Sequence, residues 1–262
     1  MRAPHRAFHL PDHLKNINFV TTPALAGRCM IVGKPFYKYP IAVVPPPSQA
    51  RPLFEAIRSC EFRPFRIVSY EDDAQRVFNC SFFDDEEKMR GWVKWLAENA
   101  LEPGSQFHEC IVDATEGEAM PSADTLLFGR GTTVLADTRF GEYQLGMTTC
   151  FTRQVPCDAE RYEELQEGAA AAEFEERIAR CMTENGVSYF GRLAMVEDPE
   201  VADEGKPPAL ITALRYGSLD DAKRGTAAVR ALMAPELTRW FGEEHESSKR
   251  LLIGTTTQTL EL

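Results

Sequence analysis

The sequence predicts an α+β fold: two tandem ferredoxin-like units, each in the order β-α-β-β-α-β, packed sheet to sheet. Three observations carry this. A strand, helix, strand, strand, helix, strand series can be read between Tyr39 and Asp113, and again between Glu142 and Leu262. Within each series, two-residue alternation gives way to helical spacing and back in the same sequence. Finally, one such sheet has an uncovered apolar face, which a second copy can cover. The implied divisions are an N-terminal arm and lead-in strand over 1–38, a first unit over 39–113, a linker over 114–141 and a second unit over 142–262.

The arm is polar and broken by Pro4, Pro11 and Pro23. His5, His9 and His13 would share one helix face and suit a metal, but the prolines oppose that helix and only Asp12 adds a ligand. Arg28–Val32 reads as a short lead-in strand. Tyr39–Val44 opens the first unit and stops at Pro45-Pro46-Pro47. Ser48 suits the N-cap of a helix to about Cys60, with Ala50, Phe54 and Ile57 on one face and Pro52 in its first turn. Phe62–Tyr70 and Arg76–Phe83 flank the turn composition Glu71-Asp72-Asp73. Asp84 then caps a helix whose first turn holds Asp85, Glu86 and Glu87, complementing the positive end of the dipole. Met89, Trp92, Val93 and Leu96 form its apolar stripe. Gln106–Asp113 closes the unit, Ala114–Asp124 is linker, and Thr125–Leu135 reads as an irregular edge.

In the second unit Tyr143, Leu145, Met147, Thr149 and Phe151 alternate against Gln144, Thr148 and Thr152. Pro156 stops this strand, and Asp158 caps a long helix that ends at Asn185-Gly186. Val187–Glu197 and Ala209–Tyr216 are the middle strands. Leu219-Asp220-Asp221 opens the last helix, where Pro235 predicts a bend. Lys249–Leu262 is a Thr-rich final strand.

Composition narrows the function classes. A net charge of −11 opposes nucleic acid or an anionic membrane as the main partner. Hydrophobic content of 44% and charged content of 26% are ordinary for a globular chain. No stretch approaches the roughly 18 apolar residues of a membrane span. Arg2, Arg6 and Lys15 stand near the start without an apolar core beside them, so no secretory signal is expected. Cys29, Cys60, Cys80, Cys110, Cys150, Cys157 and Cys181 show no C-x-x-C pair or zinc-like spacing. Reduced cytoplasmic thiols, several in the core, are the expectation. Glycine-rich phosphate loops and a G-x-S-x-G nucleophile turn are absent from the sequence.

The stretch Phe83-Asp84-Asp85-Glu86-Glu87-Lys88-Met89-Arg90-Gly91-Trp92 resembles the strand-to-helix join of antibiotic-biosynthesis-monooxygenase-like dimeric α/β-barrel proteins. Those proteins typically end the third strand on an aromatic and enter the helix through acids. Tyr216-Gly217-Ser218-Leu219-Asp220-Asp221-Ala222-Lys223 looks like the same join in the second copy. The family usually has Trp at the aromatic position and His inside the helix; here Phe83 and Trp92, then Tyr216 and a small residue near Gly225, stand there. Two-copy members include chlorite-dismutase-like haem proteins and oxygenases that modify aromatic polyketide rings. Length and the lack of an obvious haem-ligand motif point to the second group. The resemblance implies an oxygenase acting with O₂ on an aromatic or polycyclic, polyketide-like molecule. It would need no cofactor beyond O₂, or take reduced flavin from a partner flavin reductase. The alternatives are a haem-binding chlorite-dismutase-like protein and a non-catalytic module for a hydrophobic ligand. Exposed strand edges leave a homodimer open.

In such units the pocket lies between the sheet's outer side and its two helices. Cofactor-independent oxygenation requires an electron-rich phenolate or hydroquinone, a base or hydrogen-bond donor to its oxygen, and a dry cavity. The catalytic candidates are His108, read on the closing strand near Phe107 and Cys110, Asn79 within Arg76–Phe83, and Trp92. The substrate-binding candidates are Tyr70, Tyr189, Arg192, Arg215, Tyr216 and Trp240. Aromatics suit the wall; arginines within apolar strands orient a carboxylate or enolate, or pair with an acid. His245, in an acidic stretch, reads as a surface residue; it and His108 are the axial candidates of the haem alternative.

Overall fold

The computed structural model describes residues 25, 27–37, 52, 55–107, 127–138, 145–170, 172–202, 204–243 and 249–262, and among these are nine strands, four α-helices of eleven residues or more and a short helical stretch over 55–59. The strands are β1 (Cys29–Gly33), β2 (Phe36–Tyr37), β3 (Arg66–Glu71), β4 (Arg76–Phe83), β5 (Leu127–Thr138), β6 (Thr148–Gln154), β7 (Tyr189–Glu197), β8 (Leu210–Tyr216) and β9 (Arg250–Glu261). The helices are α1 (Glu86–Leu96), α2 (Ala159–Ala170), α3 (Ala172–Glu184) and α4 (Leu219–Phe241).

The strands run in the order β1-β5-β7-β8-β6-β9-β3-β4, and pairing of β1 with β4 closes the ring. Strand β2 pairs with β4 just beyond β1, Phe36 opposite Val77 after Val32 opposite Cys80. The two are one stave interrupted at Pro35, which has no N–H for the ladder. The result is an antiparallel barrel of eight staves with helices outside, an α+β architecture. Closure removes free sheet edges from the ring.

Several sequence expectations need correction. Thr125–Leu135, read as an irregular edge, lies largely in β5, which pairs with β1 on one side and β7 on the other. Gly129 and Gly131 hid it by breaking the alternation. A Cβ on Gly129 would lie 2.7 Å from Ile211 Cδ1, and one on Gly131 would strike Met195, so both glycines make room for interior side chains. The lead-in Arg28–Val32 is largely β1, which with β2 makes one stave of the barrel. The strand read from Tyr143 begins at Thr148; Leu145 and Gly146 form a turn, with Gly146 at φ +85°, and Tyr143 lies outside the described residues. The long helix read after Asp158 is present as α2 and α3, on either side of residue 171, which lies outside the described residues. Asp85, not Asp84, caps α1: its Oδ1 accepts from Lys88 N at 2.8 Å, while Asp84 pairs with Arg28 and Lys88. Pro235 sits within α4 without ending it. Tyr39–Val44 and residues 108–113 lie outside the described residues, and Gln106 and Phe107 are in a turn.

Inside the barrel, Tyr70 stacks on Phe78 at 5.1 Å, and Phe151 meets both edge-on at 5.4 and 5.9 Å. Val68, Cys80 and Met195 are buried around them. Gly254 admits this stack, because a Cβ there would lie 2.5 Å from the Phe78 ring. Interior charge is paired: Arg153 grips Glu197 with two bonds of 2.6 Å. Asp198, fully buried, receives Arg90 of α1 at 2.8 Å and Arg130 of β5 at 2.7 Å. These contacts fasten the first helix to the turn after β7. Removing one partner of such a pair leaves an uncompensated buried charge.

Candidate functional site

Period-two alternation divides β6 between two environments. Phe151 joins the interior cluster, whereas Cys150, Thr152 and Gln154 line a cavity between the sheet and the helices. Register extends this floor: Cys150 lies opposite Leu214, Thr152 opposite Thr212 and Gln154 opposite Leu210 on β8. Arg192 on β7 is opposite Leu214, and Lys249 precedes β9. Helix α4 forms most of the roof through Thr226, Val229, Arg230, Met233, Leu237, Trp240 and Phe241, three or four apart. Phe174 and Ile178 of α3 close one side. The open volume is about 90 Å³.

Local chemistry holds α4 over this floor. Ser218 caps its start, its Oγ accepting from Asp221 N at 3.1 Å. Gly225 then lets the helix settle on Tyr216, whose ring occupies the space a Cβ would need. Beyond that contact α4 continues to Phe241, over the rows from Cys150 to Gln154.

The wall is mainly apolar with three cationic side chains, Arg192, Arg230 and Lys249, and among the described residues it includes no carboxylate or imidazole. Arg192 is 2% exposed. Its Nε donates to Glu175 Oε2 at 2.9 Å, and its guanidinium lies 4.7 Å over the Phe174 ring. The Tyr189 hydroxyl donates to Glu175 Oε1 at 3.1 Å, so one carboxylate holds both side chains. Burial, with Glu175 alongside, pushes the Tyr189 phenol well above its ordinary range. Burial also raises the Cys150 thiol, to whose sulfur Thr226 Oγ1 donates at 3.7 Å. The buried Trp240 indole N–H has no acceptor among the described residues.

Of the residues picked from sequence, Arg192 and Trp240 line this cavity. Tyr189 and Tyr216 belong to the packed cluster beside it rather than to its wall. Tyr70 and Arg215 are on the barrel interior: Arg215 Nη2 donates to the Tyr70 hydroxyl and Nε to Thr149 Oγ1, each at 3.5 Å. Burial outweighs the Arg215 charge there and pushes the Tyr70 phenol up to about 12. Asn79 accepts from Ser69 Oγ at 2.7 Å on β4, and Trp92 stacks on Trp95 at 5.3 Å under α1. Neither lines the cavity. His108 and His245 lie outside the described residues. Among the described residues no group of His, Cys, Asp or Glu could hold a metal, and no helix is long and apolar enough to cross a membrane.

Sequence reasoning missed Cys150, Thr152, Gln154, Phe174, Met233, Arg230 and Lys249. For the residues of β6 and α4 the signal was present, as the outward set of the strand and the 226–230–233–237–240 stripe of the helix; Phe174 and Lys249 carried none.

No protein-family model matches this chain, and no curated protein matches its sequence. Solved structures do. An anthrone oxidase-like protein superposes with a TM-score of 0.51 at 11% identity, covering 93% of this chain and 96% of that one. A putative monooxygenase from Lactobacillus acidophilus NCFM gives 0.45 at 9% identity, over 90% and 96% of the two chains. Chlorite dismutase from Candidatus Nitrospira defluvii in complex with imidazole gives 0.48 at 10% identity, over 90% and 93%. The first match supports the dimeric α/β-barrel fold over nearly the whole chain and, at that identity, nothing finer.

Proposed function

We propose that this protein is an oxygenase that oxidises an aromatic small molecule with O₂ in the cavity beneath α4, with no cofactor beyond O₂. The single observation that carries the reading is the wall itself: aromatic and aliphatic over most of its area, with cations and no carboxylate among the described residues. The cations at this wall favour the phenolate, against the burial that favours the phenol. A phenolate is electron-rich enough to pass an electron to O₂, and the apolar surroundings favour O₂ entry and exclude water. Net, a phenol with a free para C–H and one O₂ give a quinone and one water. The phenolic proton leaves to solvent at the mouth, so this wall requires no dedicated base. A cavity of about 90 Å³ does not fit a haem or a flavin ring system as it stands.

In this reading the barrel is two tandem ferredoxin-like units, residues 29–138 and 148–261. The support is topological: β3-β4-β1-β5 and β7-β8-β6-β9 repeat one strand order, second-third-first-fourth along the chain. Arg192 and Trp240 are substrate-binding residues, and Glu175 positions Arg192. Tyr70, Asn79, Trp92, Tyr189, Arg215 and Tyr216 serve packing and hydrogen bonding, and His108 lies outside the described residues.

The test is oxygen uptake by protein free of flavin and haem, offered hydroxylated arenes of one to three rings. Protein-dependent uptake, falling at least about tenfold in Val229→Trp, which fills the cavity, is the expected result. Uptake that survives this substitution, or none with any arene, contradicts it. The lack of an imidazole or carboxylate in the described wall favours, as a second reading, a carrier of aromatic anions: binding without oxygen uptake.

A further inference from the structure

We infer that Gly168, on α2, sets how large a ligand the cavity admits, by leaving the Trp240 ring room to stand back from it. This rests on the function proposed above and adds a residue that limits the size of its substrate. Gly168 is not part of the wall; it stands behind Trp240, which is. A Cβ at 168 would lie 3.0 Å from Trp240 Cζ2 and 3.5 Å from Cη2, against the benzo edge of the indole. Carbon atoms pack best at about 3.5–4.0 Å, so a side chain there would press on the ring.

The backbone gives no other reason for this glycine. Gly168 lies inside α2, and its φ is not positive. At such a position glycine is the poorer helix former, because it loses more freedom on folding than alanine does. What it provides is a close approach of α2 to the ring. Neither side of that contact is free to retreat. Leu165, one turn earlier on α2, is fully buried in one cluster with Trp240, Met233 and Phe241. The Trp240 carbonyl accepts from Cys157 N at 3.0 Å, which fixes the backbone that carries the ring. Phe174 and Phe241 flank the ring, with centroids at 6.1 and 6.5 Å. The open space it borders is the cavity, so a ring displaced from 168 steps into it. At about 90 Å³ that space is already below the roughly 150 Å³ of an apolar protein cavity that holds benzene. A small step therefore removes a large share of the space, and the loss falls hardest on a ligand that needs all of it.

The test uses two probes, phenol and xenon, on the parent, Gly168→Ala, Trp240→Phe and the double variant. Phenol binding is measured anaerobically by calorimetry, and xenon binding by the NMR shift of the dissolved gas. Gly168→Ala should weaken phenol at least about tenfold and xenon no more than about threefold. It should melt no lower than the parent, since alanine favours the helix and the ring yields. Trp240→Phe keeps a ring in the wall without the benzo edge. In that background Gly168→Ala should change neither affinity, so the two substitutions couple. Equal losses of phenol and xenon, no loss of either, or the same loss in the Trp240→Phe background overturns the inference. A parent that takes xenon and no phenol removes both the inference and the function proposed above. Oxygen uptake separates the two. A size limit that tightens in Gly168→Ala, in a protein that consumes no O₂, removes the oxygenase and leaves the role of Gly168; uptake with phenol affinity indifferent to Gly168→Ala does the reverse.

Discussion

The two halves of the barrel use the space between sheet and helix differently. In the first, Trp92 stacks on Trp95 at 5.3 Å, Phe107 lies 6.4 Å from Trp95, and Cys29, Phe83 and Met89 are buried beneath. Helix α1 has 11 residues before it passes into a π-helical turn at Ala97–Leu101. In the second, α4 runs 23 residues, and its later turns stand over a floor of Cys150, Thr152, Gln154 and Thr212. Both helices begin alike, on an acid-rich capped turn followed by a glycine that accepts an aromatic ring, Phe62 on Gly91 and Tyr216 on Gly225. The lesson is that the join fixes where the helix lands, while the length beyond it and the side chains there decide between packing and a cavity.

Trp92→Ala and Trp240→Ala break the comparison hardest. Trp92, 5% exposed and ring-stacked, should cost about 3–5 kcal/mol in urea unfolding and leave ligand affinity intact. Trp240 borders open space and so has fewer contacts to lose. Its replacement should cost about 3 kcal/mol or less and abolish detectable binding. Equal stability losses with equal effects on affinity would erase the distinction between the halves.

Next come the glycines. Alanine favours a helix by about 1 kcal/mol over glycine, while overpacking costs about 1–3 kcal/mol. Tyr216 is fully buried and cannot move aside, whereas Phe62 is half-buried and can. Thermal melts should therefore place Gly225→Ala below the parent and Gly91→Ala near it. The reverse order would mean that the Tyr216 contact does not seat α4.

A smaller stability effect, within about 1 kcal/mol of the parent, is expected for Val229→Trp, because an existing cavity absorbs most of the added volume. A loss much larger than that would show the space is not open in solution.

The smallest effect concerns the entry to α1. The Lys88 ammonium, with Arg28 beside it, holds the Asp84 carboxyl below the usual carboxylate range. Its stabilisation is therefore present above the unfolded carboxyl's pKa of about 3.9 and lost as pH falls through the lower folded value. The carboxylate is 43% exposed, so screening leaves about 0.5 kcal/mol. Asp84→Asn should melt slightly lower at pH 7 and match the parent under strongly acidic conditions; a deficit that persists there assigns the effect to packing.

Much of the second half was legible, because β7, β8 and β9 are long runs whose ends fall within two residues of their sequence signals. The first half was harder. β1 is five residues of apolar chain, and the glycines at 129 and 131 erase the alternation of β5. Both serve tertiary packing, to which a local pattern is blind. The site was half legible for a related reason. Arg192 stood out as a charge in an apolar strand, but Thr152, Gln154 and Lys249 look like surface until a helix is laid over them. Conversely, Tyr70 and Arg215 look like a site and lie inside the barrel.

Methionine methyls report on both halves at once, since Met233 lines the cavity beneath α4 and Met89 is sealed under α1. Titrating a hydroxylated arene anaerobically into protein labelled at the methionine methyls should shift the Met233 resonance in proportion to occupancy and leave Met89 in place. A shift at Met89 with Met233 unmoved would contradict the account.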